Sequence, residues 1–413
     1  MFVKIPFGKE TLDVEIPSSG VAGVYSPNSV ECGDDREILG SAIENPLDSP
    51  PFEEFIRDGT VIIVNDDTRP TPTARVLEII YRKLKGRNLR FIVACGSHSA
   101  PTEKGLEFIF GRHLGELRDK IHIHDAEKDQ FVSLGRDKYR NPLEVSKIVH
   151  DAPRVITISS VEPHYFAGFM GGRKSFLPGV ASYKTIESNH SLALNPRATT
   201  LNLRDNPVHL GMLELTRKFG EKKVFAIQLV IDENGKIYRV YSGNIEKAFE
   251  RCIDPCKEVS CVGLEEPVDI AVGVAGYPTD IDFYQSQKSI DNVKLAVKKG
   301  GAILLVSACR EGVGNRGFID IFEKAGSPER AMKLVKKNFK LGYQKTYKLA
   351  EILLEKEIWG YAAVDSSVLR SCFIKPVSDL NKTLNEEAKK GKKIAFFPLG
   401  NTTIPFISKQ MLL

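Results

Sequence analysis

No apolar run in this chain approaches the ~18 residues that a membrane span requires. The seven cysteines include no Cys-x-x-Cys pair, and an odd number without a framework reads as reduced thiols. Cys252, Cys256 and Cys261 lie close together, but spacings of four and five match no common zinc or iron–sulfur pattern, so they are expected to be packing thiols on a helix face. Basic blocks with interleaved aromatics are missing. The net charge of +5 is spread over 58 basic and 53 acidic residues, so nucleic acid is not an expected partner. The opening residues lack the apolar core of a signal peptide, and there is no internal repeat or low-complexity tract. These absences leave a soluble, reduced protein of the cytoplasm as the expectation, with no membrane partner.

The chain has 413 residues, 42% hydrophobic and 27% charged, enough for two or three domains with ample cores. Met1 to Pro17 alternates apolar and charged residues and reads as two short strands, followed by a long approach with at most one helix. From Thr60 the pattern becomes regular. Val61–Val64 is a continuous apolar run of the buried-strand kind, and an amphipathic helix is expected over Thr73–Lys85. Leu89–Ala94, Ile121–His124 and Arg154–Ile158 are further strands, with a helix over Thr102–Phe110. Phe225–Ile231 and Lys236–Tyr241 flank an Asn-Gly turn and read as a hairpin, followed by a helix over Ile245–Val259. A composition shift at Gly263–Pro267 marks an expected linker. Beyond it come strand Val268–Val272, helix Ser289–Lys298, strand Ala302–Val306, helices within Glu329–Glu355, and strands Gly360–Val364 and Lys393–Phe397. Strands separated by helices argue for parallel sheets. The expected fold is therefore α/β with two domains, each a mostly parallel sheet flanked by helices, and an active site in the cleft between them. The first domain is expected over 1–262 and the second over 263–397, with the tail of about 398–413 a candidate to return to the first.

Ligands of open α/β sheets gather beyond the carboxyl ends of the strands, and the chemically unusual residues fall there. Asp66 and Arg69 follow Val64, His98 follows Ala94, Glu162-Pro163-His164 follows Ser160, and Gln285 and Lys288 lie beyond Val272. Each alone has a structural reading; Asp66 and Thr68, for example, could simply cap a helix. Four loops carrying a carboxylate, an arginine, two histidines and a lysine point to a shared site.

The segment from Glu162 to His190 is the densest. Gly171-Gly172-Arg173-Lys174-Ser175 has the look of a phosphate cradle but lacks the P-loop spacing, which disfavours a kinase or ATPase. Its apolar neighbours Phe166, Phe169, Met170, Phe176 and Leu177 imply partial burial, so its cations should have partners. Gly312-Val313-Gly314-Asn315-Arg316-Gly317 matches Gly-x-Gly-x-x-Gly after a strand, but no clear strand-ending acid follows at the distance a ribose partner needs.

Taken in order, DDTRPTP (Asp66–Pro72), GSH (Gly96–His98), PHYFAG (Pro163–Gly168), GGRKSFLPG (Gly171–Gly179), NH (Asn189–His190) and YQSQK (Tyr284–Lys288) resemble the nickel-pincer lactate racemase family and its hydroxy-acid racemase relatives. The resemblance covers most of the chain. It implies a cofactor, the nickel(II) pyridinium-3,5-bisthiocarboxylic acid mononucleotide (nickel-pincer nucleotide), joined covalently to Lys174, with His190 as imidazole ligand to nickel. Asp66, Thr68 and Arg69 would hold the nucleotide and the substrate side, His98 and His164 would be the acid/base pair, and Arg69, Tyr284, Gln285 and Lys288 would bind the substrate. The implied activity is racemisation or epimerisation at C2 of a 2-hydroxy acid by hydride transfer, which avoids a carbanion beside an ionised carboxylate. The implied partners are that small acid and, transiently, the enzymes that make the cofactor; a homo-oligomer stays open. One departure stands out. The family's Trp is expected near Leu341–Lys345, where Gln344 takes its place, and the one tryptophan is Trp359. A Gln there leaves room and a hydrogen-bonding handle, so lactate is not expected to be the best substrate. The rival readings are an NAD(P)-dependent 2-hydroxy acid dehydrogenase and a non-catalytic binding protein of the same fold.

Overall fold

Val61–Asn65 carries the uninterrupted run Val-Ile-Ile-Val, and all four side chains are buried, as a strand covered on both faces requires. It sits inside a six-stranded sheet ordered Ile237–Gly243, Val224–Ile231, Val155–Ser160, Val61–Asn65, Arg90–Ala94, Ile121–Ile123. All neighbours run parallel except the first pair, the hairpin expected from the Asn-Gly turn. From Val61–Asn65 the chain winds first towards Ile121–Ile123 and then back to Val155–Ser160 on the other side. The topological switch point therefore lies between Val61–Asn65 and Val155–Ser160, where such sheets open a crevice for ligands.

The computed structural model describes residues 1–220, 223–277 and 279–408. The chain divides into two units, one spanning Ser29–Val259, the other combining Met1–Asn28 with the chain from Ser260 on. In the first unit the helix Thr73–Leu84 buries Val76, Leu77, Ile80 and Leu84 against the sheet and carries Arg82 and Lys83 in its last turn, where cations favour the helix dipole. The hairpin of Phe131–Arg136 with Pro142–Ser146 and the helices Tyr183–Ser191 and Pro207–Phe219 carry no clear sequence signal. Each of those helices starts at a polar cap, Ser182 accepting from Thr185 and Asn206 from Val208 and His209. Cys252 and Cys256 are buried in a small core with Phe249 and Val259, whereas Cys261 lies on a strand.

The second unit holds a six-stranded, wholly parallel sheet ordered Lys375–Pro376, Glu357–Ala362, Val297–Ser307, Val268–Val274, Ile394–Phe397, Val21–Val24. Its edge strand corrects the expected boundaries. Val21–Val24 pairs with Ile394–Phe397, and the opening hairpin buries Val3, Ile5, Val14 and Ile16 in a core with Ile270, Val272, Leu304 and Phe396. Residues 1–28 thus belong with the C-terminal half. The expected linker begins inside a strand, Cys261–Leu264, which pairs with Ile404–Ile407; the described part of the tail returns to this unit, and residues 409–413 lie outside the described residues. The helix expected over Ser289–Lys298 runs from Phe283 to Val293, because the Asp282 carboxylate accepts from the Gln285 amide at 2.6 Å and starts it earlier. Among the described residues no helix is long and apolar enough to cross a membrane.

Candidate active site

The turn Asp66–Pro72 leaves the sheet at the switch point. A polar chain ties it to the neighbouring strand: Asn65 Nδ2 donates to Thr71 Oγ1 (2.8 Å), the Thr71 and Ser160 hydroxyls bond each other (2.8 Å), and Ser160 Oγ donates to Glu162 (2.8 Å). Asp66 is buried, and its two oxygens divide their work. Oδ2 lies 2.6 Å from Nδ1 of His98, and Oδ1 accepts from the Thr68 hydroxyl at 2.7 Å. Burial alone would raise this carboxyl, but the His98 bond and charge, the Arg69 cation and the Thr68 bond together hold it below its ordinary value. His98 is exposed over 41% of its side chain, so an ionised, buried carboxylate orients a ring that solvent and ligands can reach.

The long loop after Val155–Ser160 is built around Arg173. Pro163–His164 pairs antiparallel with Gly168–Phe169, and Nδ1 of His164 accepts the Phe166 and Ala167 amides at 3.4 and 3.2 Å. The Arg173 guanidinium is buried and donates to the carbonyls of Ala167, Phe169, Met170 and Gly171, while its carbon lies 4.2 Å from the Phe249 ring centroid. These are the partners that the buried surroundings of the loop demanded, but they are carbonyls and a ring face rather than a carboxylate. Burial pushes the guanidinium down to about 9. Gln228, from the strand Val224–Ile231, accepts the Gly172 amide at 2.6 Å and fixes the next residue along. Gly171 has φ +78°, and a Cβ there would lie 2.6 Å from Val161 Cγ2. The loop is joined to the His98 turn by the Gly96 amide, which donates to the Gly179 carbonyl at 3.0 Å. So held, the loop carries Lys174, half-buried, with Nζ 5.8 Å from the Phe166 ring centroid.

His190 ends the helix Tyr183–Ser191. Its neighbour Asn189 donates to the Val208 carbonyl at 3.1 Å and anchors that helix to Pro207–Phe219. The His190 ring is buried, edge-on to Phe166 at 5.1 Å, and Nδ1 makes no bond of normal geometry, although the Ile186 carbonyl one turn earlier acts on the ring. Burial first, then the charges of Lys174 and His98, push this imidazole down to about 3. A buried ring held neutral is the form that ligates a metal. Among the described residues no three His, Cys, Asp or Glu side chains are grouped as a metal site. The donor set here is one imidazole beside a lysine, which fits a metal whose remaining ligands arrive with an organic cofactor attached at that lysine.

Asp66, Thr68, Arg69, His98, His164, Lys174 and His190 all lie in the unit Ser29–Val259, and the first six emerge beyond the carboxyl ends of its strands. Tyr284, Gln285 and Lys288 belong to the other unit, on the first turns of the helix Phe283–Val293 rather than on a loop. Burial, then Asp282, push the Tyr284 phenol up to about 12. The Gly-x-Gly-x-x-Gly segment is spent on this helix: the carbonyls of Gly312 and Val313 accept the Phe283 and Tyr284 amides, and a Cβ on Gly314 would strike the Asp282 carboxylate at 2.5 Å. Gln344 also differs from expectation. It is buried, and its Oε1 accepts the Gly342 amide at 2.8 Å at the start of its own helix, a local bond that the expectation of a free hydrogen-bonding handle did not include. Sequence reasoning overlooked Gln228, whose signal was one polar residue inside an apolar strand, and Lys345, which stands between Gln344 and Thr346 and carries no local sign of burial.

Comparison with known proteins adds the lineage. Residues 7–201 match the lactate racemase N-terminal domain, and residues 264–402 the lactate racemase C-terminal domain. A lactate racemase of Thermoanaerobacterium thermosaccharolyticum is 30% identical over 407 residues, covering 92% of this chain and 93% of that protein. A lactate racemase of Lactiplantibacillus plantarum is 32% identical over 328 residues, covering 76% and 77%. The structure of the lactate racemase apoprotein from T. thermosaccharolyticum matches with a TM-score of 0.89 and 29% identity, over 98% of this chain and 100% of that one. A Thermotoga maritima protein, 17% identical with a TM-score of 0.69 over 90% of this chain and 97% of its own, shares the fold. Fold and relatives together define an isomerase of the racemase class. The chain belongs to the lactate racemase family.

Proposed function

We propose that this protein interconverts the two configurations at C2 of a 2-hydroxy acid, with a nickel-pincer nucleotide carried on Lys174 and ligated through His190, in the cytoplasm and after loading by cofactor-making enzymes. The observation that carries the reading is the convergence of Lys174 and a buried, neutral His190 with the Asp66–His98 pair. When bound, that cofactor supplies a hydride acceptor, so the weakly acidic C2 hydrogen need not leave as a proton. The chain's own residues handle the hydroxyl proton. Asp66, ionised, holds the Nδ1 proton of His98 and leaves Nε2 to exchange with the substrate hydroxyl. His164 has its Nδ1 engaged by two backbone amides, so its exchanging atom is likewise Nε2. Two such rings allow one to accept the proton and the other to deliver it, with the roles exchanged in the reverse direction. Gln285 and Lys288 bind the substrate carboxylate as amide donor and cation, and Arg69, Thr68 and Tyr284 complete the binding of nucleotide and acid.

A C2-deuterated 2-hydroxy acid tests this directly. Only the hydroxyl proton passes through His98 or His164, so product formed in ordinary water should keep its deuterium. Wash-out of the label during turnover would mean that C2 loses a proton to a side chain, and the hydride reading would be wrong. A nicotinamide dehydrogenase draws no support from the Gly312–Gly317 segment, whose backbone and glycine space are already used by Phe283, Tyr284 and Asp282.

A further inference from the structure

Lys345 is 5% exposed, on the helix Tyr343–Leu353. Its Nζ donates to the backbone carbonyl of Tyr284 and also lies 3.8 Å from the centroid of the Tyr284 ring, so one ammonium grips both the main chain and the side chain of that residue. The connection runs the other way too, because Gln287 Nε2 donates to the Lys345 carbonyl at 2.8 Å. Lys288 stands one helical turn beyond Tyr284, on the same face. Packing alone calls for an apolar side chain in such a place, since an isolated buried ammonium is costly to desolvate.

We propose that Lys345 is a positioning residue for carboxylate binding: it holds the first turn of the helix Phe283–Val293, and with it Tyr284, Gln285 and Lys288, in the arrangement that receives the substrate. The proposal rests on the reading of Gln285 and Lys288 as carboxylate-binding residues. The charged groups acting on Lys345 are Lys288, Asp291 and Asp282, all on or capping the helix it grips. Burial is the strongest influence and pushes the amine down to about 7, Lys288 pushes the same way, and Asp291 and Asp282 push back. The cation is therefore present below neutrality and lost above it. Losing it removes the cation–π contact, weakens the bond to the Tyr284 carbonyl and lowers the positive potential beside Lys288. Carboxylate affinity should then fall as pH rises through 7.

The experiment uses full-length, cofactor-loaded protein, with racemic lactate as probe because it stays at equilibrium. Calorimetric affinity for the wild type should fall about three- to tenfold as pH rises through neutrality, the size of one net hydrogen bond. Lys345→Arg, which stays charged, should bind without that inflection; Lys345→Met should bind weakly at every pH. Independently of any ligand, ring resonances of Tyr284, assigned with Tyr284→Phe, should titrate near 7 in the wild type and be flat in both Lys345 variants. Should Lys345→Met fail to fold, the Arg variant carries both measurements. An unchanged pH dependence in the variants, or a Tyr284 ring that does not titrate, overturns the proposal. If Tyr284 titrates as expected while Lys288→Ala and Lys345→Met both bind lactate normally, the assignment of the carboxylate to this helix is refuted and the grip on Tyr284 stands.

Discussion

Asp66 Oδ2 and His98 Nδ1 are 2.6 Å apart, a buried carboxylate against an exposed ring. The carboxylate fixes which ring nitrogen carries the proton, and a neutral carboxamide of the same shape can stabilise the wrong tautomer. Asp66→Asn should leave the fold intact and lower kcat/KM for racemisation by about 10²–10⁴-fold, the usual worth of a general acid/base. Chiral chromatography of the product measures it. An Asn variant as fast as wild type would separate Asp66 from the chemistry.

Lys174 is half-buried on a loop whose backbone is gripped by Arg173 and Gln228, and the proposed function makes it the attachment point of the cofactor. Protein made together with the cofactor-making enzymes should gain several hundred daltons, roughly one modified nucleotide, and peptide mapping should place it on Lys174. Active enzyme with an unmodified Lys174 would contradict the attachment.

Gly171→Ala should destabilise the protein by roughly 1–3 kcal/mol, since the backbone there has positive φ and a Cβ would press on Val161 and the Ser160 carbonyl. Gly86→Ala is the matched control: φ is +84°, but no atom lies within 4 Å of the added carbon. Thermal unfolding of both variants checks the difference, and equal losses would mean that close packing at Gly171 contributes nothing.

His190 and His209 are both pushed down to about 3 by burial, with Lys174 and His98 acting on the first, Arg173 and Arg217 on the second. The unfolded chain protonates these rings near the ordinary value of 6.5, so it takes up protons that the native state refuses. Stability from keeping them neutral is complete above 6.5 and is lost progressively as pH falls towards 3. His209→Gln removes one of the two and should flatten the loss of stability on acidification, read from urea unfolding at neutral pH and at about pH 5. Parallel pH dependences for variant and wild type would show that His209 titrates normally in the fold.

The strands of the six-stranded sheet in the unit Ser29–Val259 were legible because their signals are local: Val61–Val64 needs no distant residue to be recognised as a strand buried on both faces, and the Asn-Gly turn announces its own hairpin. Helices with polar faces were harder. Tyr183–Ser191 has Lys184, Glu187, Ser188 and Asn189 in a single short span, and its buried residues are Thr185, Ile186, Asn189 and His190, so no apolar stripe marks it. The start of the helix Phe283–Val293 was missed for the same reason, and its placement depends on one cap at Asp282.

By itself the sequence determined the α/β alternation, the order of the motifs and which loops carry reactive side chains, because strand burial, turn chemistry and loop position follow from neighbouring residues. Tertiary structure alone decided that Val21–Val24 pairs with Ile394–Phe397, that Asp66 reaches the ring of a histidine 32 residues away, that the two terminal nitrogens of Arg173 donate to four carbonyls, and that Lys345 lies buried against Tyr284. The reason is physical. An edge strand of four residues buries too little to specify its partner locally, and the bonding and burial of a polar group depend on what the whole fold packs around it.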